Sequence, residues 1–335
     1  MTTAEIMQKI EKIDFINEQI KSSPGLNDGE LKRFREHFTV EYTYDSNAIE
    51  GSTLTLNETR LILIEGLTID KKPLKEHLEA VGHKDAFDYI VDISGKNEPL
   101  TEQTIKNIHS LVLVNDAANK GIYRSVPVEI AGALDTPPDP LFVPEKMSEL
   151  LDYYLNNGHH PIVKIAELHI LFERIHPFID GNGRTGRLLL NLELLKHNYL
   201  PINVKFRDRA LYISCFKDYA MTNNANKFIE MAAAYQLEEL EKRLSVIRQK
   251  EQIMKNGADV IDNRVTNALS KSGLSDTDIR NIAALKSAEL KKFYKALYLE
   301  AGRNTTTMKE ALKYHGLDDK QINKVVKARL TEPER

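Results

Sequence analysis

Cysteine is almost absent from this sequence of 335 residues, which contains only Cys215. A single cysteine excludes an intrachain disulfide and favours a reducing compartment. Long apolar runs are absent too: stretches such as Leu188–Leu190 are far shorter than the roughly 20 residues that a membrane-spanning helix needs. The first twenty residues have the pattern of an amphipathic helix and contain no secretory apolar segment. We therefore expect a cytoplasmic protein that does not contact a membrane.

The sequence also lacks a surplus of positive charge. Lysine and arginine total 46 against 49 acidic residues, which gives a net charge of -3. This balance argues against the broad basic surface of a dedicated nucleic-acid-binding protein, although it allows a small basic patch. The sequence has no Walker lysine motif, and its histidines do not stand at zinc-site spacing from cysteine or acidic residues. These absences disfavour P-loop chemistry and a zinc centre.

Helical periodicity is present over most of the chain and predicts an all-α fold. Thr55 and Glu58 form the pattern of a capping box at the start of one helix. Pro177 cannot continue the helix that precedes it, so His176 is predicted at a helix C-terminus, with a tight loop after it. The single segment that alternates like a β-strand is SVPVEIAGAL, residues 125–134.

The stretch HPFIDGNGRTGR, residues 176–187, combines residue types that a packed core does not require. Gly181, Asn182 and Gly183 open the predicted helix, where unpaired backbone N–H groups and small side chains favour a bound phosphate. Arg184 and Arg187 stand three residues apart on one face of its first turn. Cations at that end oppose the helix dipole, so the pattern favours an anionic ligand that neutralises them.

Two further side chains of this stretch add chemistry to the phosphate cradle. Asp180 is a hard oxygen donor that suits Mg²⁺ shared with substrate phosphates. His176 has an ordinary pKa near neutral pH and can accept a proton from an attacking hydroxyl. A histidine before proline, an Asp-Gly turn and an arginine pair each have ordinary structural explanations. Their combination in twelve residues predicts a nucleotide-dependent transfer reaction.

This stretch resembles the Fic-domain signature His-Pro-Phe-x-Asp-Gly-Asn-Gly-Arg-x-x-Arg at every fixed position. The resemblance implies an all-α Fic-fold helical bundle that transfers AMP from ATP, with Mg²⁺, to a Ser, Thr or Tyr hydroxyl of a target protein and of the enzyme itself. It implies that His176 is the base and that Asp180 binds Mg²⁺. It also implies that Gly181–Gly183 hold the phosphates, and that Arg184 and Arg187 contact the outer ones.

The strand-like segment upstream resembles the Fic flap, a short β-hairpin that aligns the target chain by strand addition. The resemblance gives this target-docking role to five consecutive residues: Val128, Glu129, Ile130, Ala131 and Gly132. Without the downstream motif, an ordinary surface hairpin would be an equally good interpretation.

A second motif lies near the N-terminus, where Ser46 and Glu50 share a helix face and Gly51 is predicted to end the helix. Glu50 would stand in the last turn, where the dipole disfavours an anion. The stretch resembles the Fic inhibitory motif Ser/Thr-x-x-x-Glu-Gly/Asn, in the class with an N-terminal inhibitory helix. The resemblance implies that Glu50 pairs with Arg187 and blocks the place of the γ-phosphate. Because some relatives use this glutamate to remove AMP, the sequence leaves both roles open.

The remaining predictions concern the adenine pocket and the domains. Arg209 and Tyr212 correspond to positions beside the adenine in relatives, although an aromatic at helical spacing is more often a core residue. We expect an N-terminal helical extension (1–57, with the inhibitory helix at about 40–51), a Fic core (58–235) and a C-terminal helical region of unknown role (236–335).

Three alternatives stay open from the sequence. The Fic fold could instead catalyse AMP removal or transfer of another nucleotide or phosphate-linked group. Residues 307–330 have the outline helix, glycine turn, helix, so a DNA-binding regulator with a nucleotide-sensing Fic core is the less favoured interpretation. The sequence does not determine whether the chain forms a homodimer or which protein it modifies.

Overall fold

The computed structural model describes residues 3–23, 25–96, 98–130, 134–271 and Asp319. It divides into two compact units, residues 1–247 and 248–335. The described part of the chain contains helices and no β-strand, in agreement with the predicted all-α class. None of its helices combines the length and apolar character that a membrane crossing requires.

Ten α-helices follow one another along the described chain. They are α1 (Thr3–Ser22), α2 (Asp28–Ile49), α3 (Leu56–Glu65), α4 (Leu74–Ser94), α5 (Glu102–Val112), α6 (Val143–Asn156), α7 (Pro161–Ile175), α8 (Asn182–Lys196), α9 (Arg209–Thr222) and α10 (Asn226–Lys271). Short 3₁₀ turns precede α6 (Pro140–Phe142) and α9 (Phe206–Asp208). The predicted capping box is present, since Thr55 and Glu58 exchange hydrogen bonds at the start of α3.

Helix α8 lies at the centre of the fold. It packs against α4, α5 and α7, and nearly every residue of its first four turns is buried. A helix that is covered on all sides cannot be amphipathic, and the run Leu188–Leu190 supplies the apolar surface that this position requires. The two buried arginines of α8 need charged partners, and Arg184 pairs with Glu79 of α4 while Arg187 pairs with Glu50 at the end of α2, so charged groups lie in the interior.

Helix α2 is continuous through the predicted inhibitory segment. Asn27 and Glu30 form a capping box at its start, and the helix is mostly buried from Thr39 onward, where it packs on α3, α4 and α8. Glu50 is the C-cap residue, and Gly51 follows with φ 99°, a left-handed conformation that glycine adopts without strain.

The predicted β-hairpin is not confirmed. Val128, Glu129 and Ile130 lie in an irregular segment without ladder partners, whereas Ala131 and Gly132 fall outside the described residues. The physical reason lies in the neighbouring prolines: Pro127 has no N–H to donate, and the return arm contains several more. The alternating pattern of this segment therefore does not indicate that it pairs with another strand. The helix–turn–helix outline at residues 307–330 also lies outside the described residues.

Candidate active site

The site begins where α7 ends. His176 adopts φ 50° and ψ 59°, and its N–H donates to the carbonyl of Phe172 at 3.0 Å. Pro177 prevents another helical turn, so the chain leaves α7 through a left-handed residue. This strained conformation at a non-glycine residue fixes the direction of the imidazole relative to the loop that follows.

Two contacts define the state of the His176 ring. Its Nδ1 lies 3.2 Å from the carbonyl oxygen of Glu173, which can only accept, so Nδ1 carries the hydrogen. Nε2 then has the free lone pair in the neutral ring. Burial lowers the pKa of His176 below its ordinary value, while the Glu173 carbonyl and the Glu50 carboxylate oppose this shift. The side chain is therefore neutral and ready to accept a proton at neutral pH.

The loop after His176 is held by contacts that need no ligand. The Asn182 side chain accepts from the N–H of Phe178 at 2.9 Å and donates to its carbonyl at 2.8 Å. The Phe178 ring stacks on His109 with centroids 3.7 Å apart. His109 Nδ1 accepts from the N–H of Gly121, so its Nε2–H donates to the carbonyl of Asp180 at 2.9 Å. The loop is thus shaped before any substrate binds.

Arg184 and Asp180 form the part of the site that could face phosphates and a cation. The buried guanidinium of Arg184 pairs with Glu79 of α4 at 3.0 Å and with Asp180 at 3.4 Å. The Asp180 side chain is 51% exposed, and one of its oxygens accepts from the N–H of Gly181. A single exposed carboxylate beside backbone N–H groups fits Mg²⁺ held jointly with phosphate oxygens. No cluster of three or more metal-ligating side chains occurs among the described residues.

Arg187 is the best-buried charge of the site, with only 2% of its side chain exposed. Nε donates to the Ser46 hydroxyl at 3.0 Å, and Nη2 donates to the Ser46 carbonyl and to Glu50 Oε1, both at 2.8 Å. Burial opposes the charge, but the Glu50 carboxylate, with smaller contributions from Tyr212 and Glu173, outweighs burial and raises the pKa of Arg187. The ion pair that the sequence predicted between Glu50 and Arg187 is therefore present.

Glu50 lies directly over the first turn of α8. A side chain at Gly183 would collide with Glu50 Oε1, so the glycine leaves the room that this carboxylate occupies. The Glu50 side chain is still 40% exposed, and it lines the same cleft as His176. The carbonyl of Ile49 beside it accepts from Arg209 Nε at 2.8 Å. Cationic side chains of α8 and α9 thus bind the terminal carbonyls of α2, which its own last turn cannot satisfy.

Glu173 is a second carboxyl near Arg187 that the sequence interpretation missed. It lies against Gly186 of α8, and its Oε2 is 3.9 Å from His176 Nδ1. Burial raises the pKa of the Glu173 carboxyl to about 8; the Arg187 charge opposes the rise and the Glu50 carboxylate adds to it. The sequence signal was available, since Glu173 precedes His176 by one helical turn, but its burial depends on α8.

The cleft itself has a volume of about 270 Å³ and is bounded by α2, α7, α8, α9 and the segment around Ile130. Tyr212 lines it from α9, yet its ring packs on Phe216 and its hydroxyl lies 2.8 Å from His169 Nε2. Tyr212 is therefore both a core residue and a wall of the cleft. Glu129 and Ile130 line the opposite side, and this places part of the predicted docking segment beside His176.

Three comparisons relate this geometry to known proteins. Residues 99–194 match the model of the Fic/DOC family. The protein adenylyltransferase Fic of Nematostella vectensis is 34% identical over 224 residues, which are 65% of this chain and 50% of that protein. The chain thus spans about half the length of the curated relatives it matches.

Two solved structures share the fold. A Fic-domain-containing signalling protein from Bacteroides thetaiotaomicron superposes with a TM-score of 0.64 at 27% identity, over 72% of this chain and 97% of that one. Fic-1 from C. elegans superposes with a TM-score of 0.65 at 28% identity, over 74% of both chains.

Proposed function

This chain is a Fic-domain protein, and we propose that it is a protein adenylyltransferase whose own helix α2 holds it inactive. The observation that carries the proposal is the position of Glu50. Its carboxylate neutralises Arg187 inside the cleft that also contains His176. The curated relatives named protein adenylyltransferase Fic support the reaction class.

In the proposed reaction, a target hydroxyl oxygen bonds to the α-phosphorus of ATP. The bond from that phosphorus to the bridging oxygen breaks, and pyrophosphate leaves. The hydroxyl proton goes to His176 Nε2, whose lone pair is available because Nδ1–H donates to the Glu173 carbonyl. Backbone N–H groups at the start of α8, together with Arg184 and Arg187, would hold the phosphates.

Mg²⁺ would be held by Asp180 and would neutralise charge on the phosphates when bound. The exposed position of this carboxylate supports the assignment, since a cation shared with substrate must be reached from the cleft. Arg184 at 3.4 Å keeps Asp180 oriented toward α8. ATP and Mg²⁺ are therefore part of the proposal, as is a target protein that presents a hydroxyl side chain.

Inhibition follows from competition for one guanidinium. Arg187 cannot grip an outer phosphate while Ser46 and Glu50 accept its hydrogen bonds, since its buried position leaves little freedom to turn. Release requires that Glu50 leave and that Arg187 exchange its bonds to Ser46 for a phosphate, while the rest of the site is already formed. The cytoplasmic location inferred from the single cysteine stays a prediction, as do the domain boundaries.

The experiment uses ATP labelled on the α-phosphate, with Mg²⁺, and follows label on the protein and on a cell lysate. Wild type is compared with Glu50→Gly, Glu50→Gln and Glu50→Gly combined with His176→Ala. We expect strong labelling with Glu50→Gly, and loss of that label when His176 is replaced. Glu50→Gln separates charge from space, because it keeps the volume of the side chain and removes its negative charge. Unchanged labelling in a folded Glu50→Gly variant would refute inhibition by this residue.

AMP removal is the second candidate, because the partly exposed Glu50 carboxylate lines the cleft beside His176 and could orient a water molecule. It predicts the opposite response to substitution. Protein that Glu50→Gly has labelled would lose its label when mixed with wild type and would keep it when mixed with a second portion of Glu50→Gly. Equal retention in both mixtures would leave transfer as the sole activity.

A further inference from the structure

Arg124 is a buried arginine that neither the motif nor the proposed reaction explains. Only 5% of the residue is exposed. Among the described residues, no carboxylate lies within ion-pair distance of its guanidinium, which instead donates to backbone carbonyls. Burial lowers the pKa of Arg124, and Asp139 opposes that shift from a distance. An unpaired buried cation is costly, so its contacts call for an explanation.

The contacts of Arg124 join two parts of the site. On the side of α7, Nε donates to the carbonyl of His176 at 2.8 Å and Nη2 to that of Ile175 at 3.4 Å. The backbone N–H of Arg124 adds a third bond, to the carbonyl of Pro177 at 2.9 Å. These are carbonyls at a helix end that Pro177 stops, where the dipole favours a cation.

On the other side, the same guanidinium holds both ends of the segment that faces His176. Nη1 donates to the carbonyl of Val126 at 3.2 Å, and Nη2 donates to that of Pro138 at 2.6 Å. Glu129 and Ile130, which lie between these two residues in the chain, line the cleft. One planar side chain thus connects the start and the end of residues 126–138 to the backbone of His176.

We propose that Arg124 is a positioning residue that sets the placement of the cleft-lining residues Glu129 and Ile130 relative to His176, and so the alignment of the target hydroxyl. The inference rests on the proposed function. Within the described part of the chain, residues 126–130 pair with no strand, and Arg124 holds the Val126 end of this segment by a hydrogen bond. Arg124 makes no hydrogen bond to Asp180, Arg184 or Arg187, so nucleotide affinity should not depend on it.

Lysine cannot replace Arg124 in this role. The five N–H donors of a guanidinium form a rigid fork, and here they reach four carbonyls of two separate segments. An ammonium group offers a point charge with three donors on a flexible stem, which can keep the positive charge without fixing the geometry. Arg124→Lys is therefore the informative variant, and Arg124→Met shows the effect of losing the charge as well.

The test is made on the full chain in the Glu50→Gly background. Arg124→Lys and Arg124→Met are compared with a control, Arg243→Met. Arg243 is also partly buried, lies over the Phe34 ring in the N-terminal half of α2, and does not line the cleft. The measurements are Tm, Kd for ATP with Mg²⁺ by calorimetry, labelling from α-labelled ATP at saturating concentration, and hydrogen exchange of residues 126–138 and 175–178.

We expect Arg124→Lys to lower the labelling rate about 10- to 100-fold, because a misplaced reacting group costs factors of this size. The Kd for ATP should stay within about twofold, and amide exchange should rise in both 126–138 and 175–178. Arg243→Met should alter Tm without changing the labelling rate. Unchanged labelling, or a Kd that weakens in parallel with it, would overturn the inference.

Failure of the proposed function has a different signature. If Glu50→Gly by itself gives no label on any protein, the transferase proposal fails. The exchange data then decide on Arg124 alone: exchange that rises together in both segments supports the coupling, and exchange that changes in neither overturns it.

Discussion

The catalytic stretch 176–187 and the last two turns of α2 lie in contact, yet different kinds of interaction hold them. The Asn182 side chain bonds to both backbone groups of Phe178, and Arg184 pairs with Glu79 of α4. The stretch 176–187 therefore obtains most of its partners from the core. By contrast, the carbonyls of Ser46 and Ile49 at the end of α2 accept from Arg187 and Arg209, which line the cleft. The stretch is thus preorganised, whereas the contact that we propose to be inhibitory occupies a guanidinium that the proposed reaction needs. Inhibition of this kind can be released without remodelling the site.

The largest expected effect comes from a substitution within the stretch 176–187. Asn182→Ala removes two hydrogen bonds to the Phe178 backbone and leaves both groups buried and unpaired, which should cost about 2–4 kcal/mol of unfolding free energy. In the Glu50→Gly background we expect transfer to fall about 100-fold, since the loop would no longer hold its shape. Labelling rates and thermal melts measure the two effects. Transfer at the Glu50→Gly level would mean that the loop is shaped by other contacts.

Weakening the contact between α2 and Arg187 should change the transfer rate in the opposite direction. Ser46→Ala removes the hydroxyl that accepts from Arg187 Nε at 3.0 Å but leaves the Glu50 contact in place. We expect transfer to rise about tenfold, because a hydrogen bond to a charged group is worth about 1.5–3 kcal/mol. Ser52→Ala is the matched control, since Ser52 donates to Glu76 and has no contact with Arg187. A rise of equal size in the control would show that any loosening of this region activates the enzyme.

The pH dependence of transfer can sharpen the comparison further. Burial lowers the pKa of His176, and the Glu50 carboxylate partly offsets this, so Glu50→Gly should lower it again. His176 becomes protonated, and so stops acting as a base, only below that pKa. The transfer rate of Glu50→Gly at pH 6.5 should therefore exceed half of its plateau value. A rate profile between pH 5 and pH 9 tests this. An acidic limb centred above pH 7 would contradict the assignment of His176 as a buried base.

The smallest expected effect concerns stability. The pKa of Glu173 is about 8, above its ordinary value of 4.5, so its contribution to folding is fully present below pH 4.5 and is lost as the pH rises to 8. Glu173→Gln removes this pH-dependent loss of stability, because the amide does not ionise. We expect nearly equal Tm for the variant and wild type at pH 4. At pH 8 the variant should have the higher Tm, because an amide carries no charge that burial would disfavour.

Glu241→Gln, an exposed partner of Lys12, is the control for the general effect of removing a negative charge. A lower Tm for Glu173→Gln than for wild type at pH 8 would show that the carboxylate is stabilised by Arg187 rather than strained by burial.

Much of the fold was accessible from local patterns. The capping residue Thr55, the helix stop at Pro177 and the turn at Gly51 each act within a few residues, so their effects could be predicted and are present. The hairpin flap at 128–132 was predicted from alternation together with the resemblance to the Fic flap, and it is not confirmed, because a strand requires a partner that neither signal supplies. Arg124 was missed because nothing beside it in the sequence indicates burial.

By itself the sequence determined which chemical groups stand close together along the chain: a histidine at a helix end, an acid, a glycine-bounded asparagine and two arginines within twelve residues. Only the tertiary structure decided which charges meet across long separations. Glu50 contacts Arg187 across 137 positions, and Arg124 contacts His176 across 52. Backbone geometry acts over one or two helical turns, whereas burial and long-range pairing depend on how α2, α7 and α8 pack. The same packing raises the pKa of Glu173 and pairs Arg187 with the carboxylate that we propose to be inhibitory.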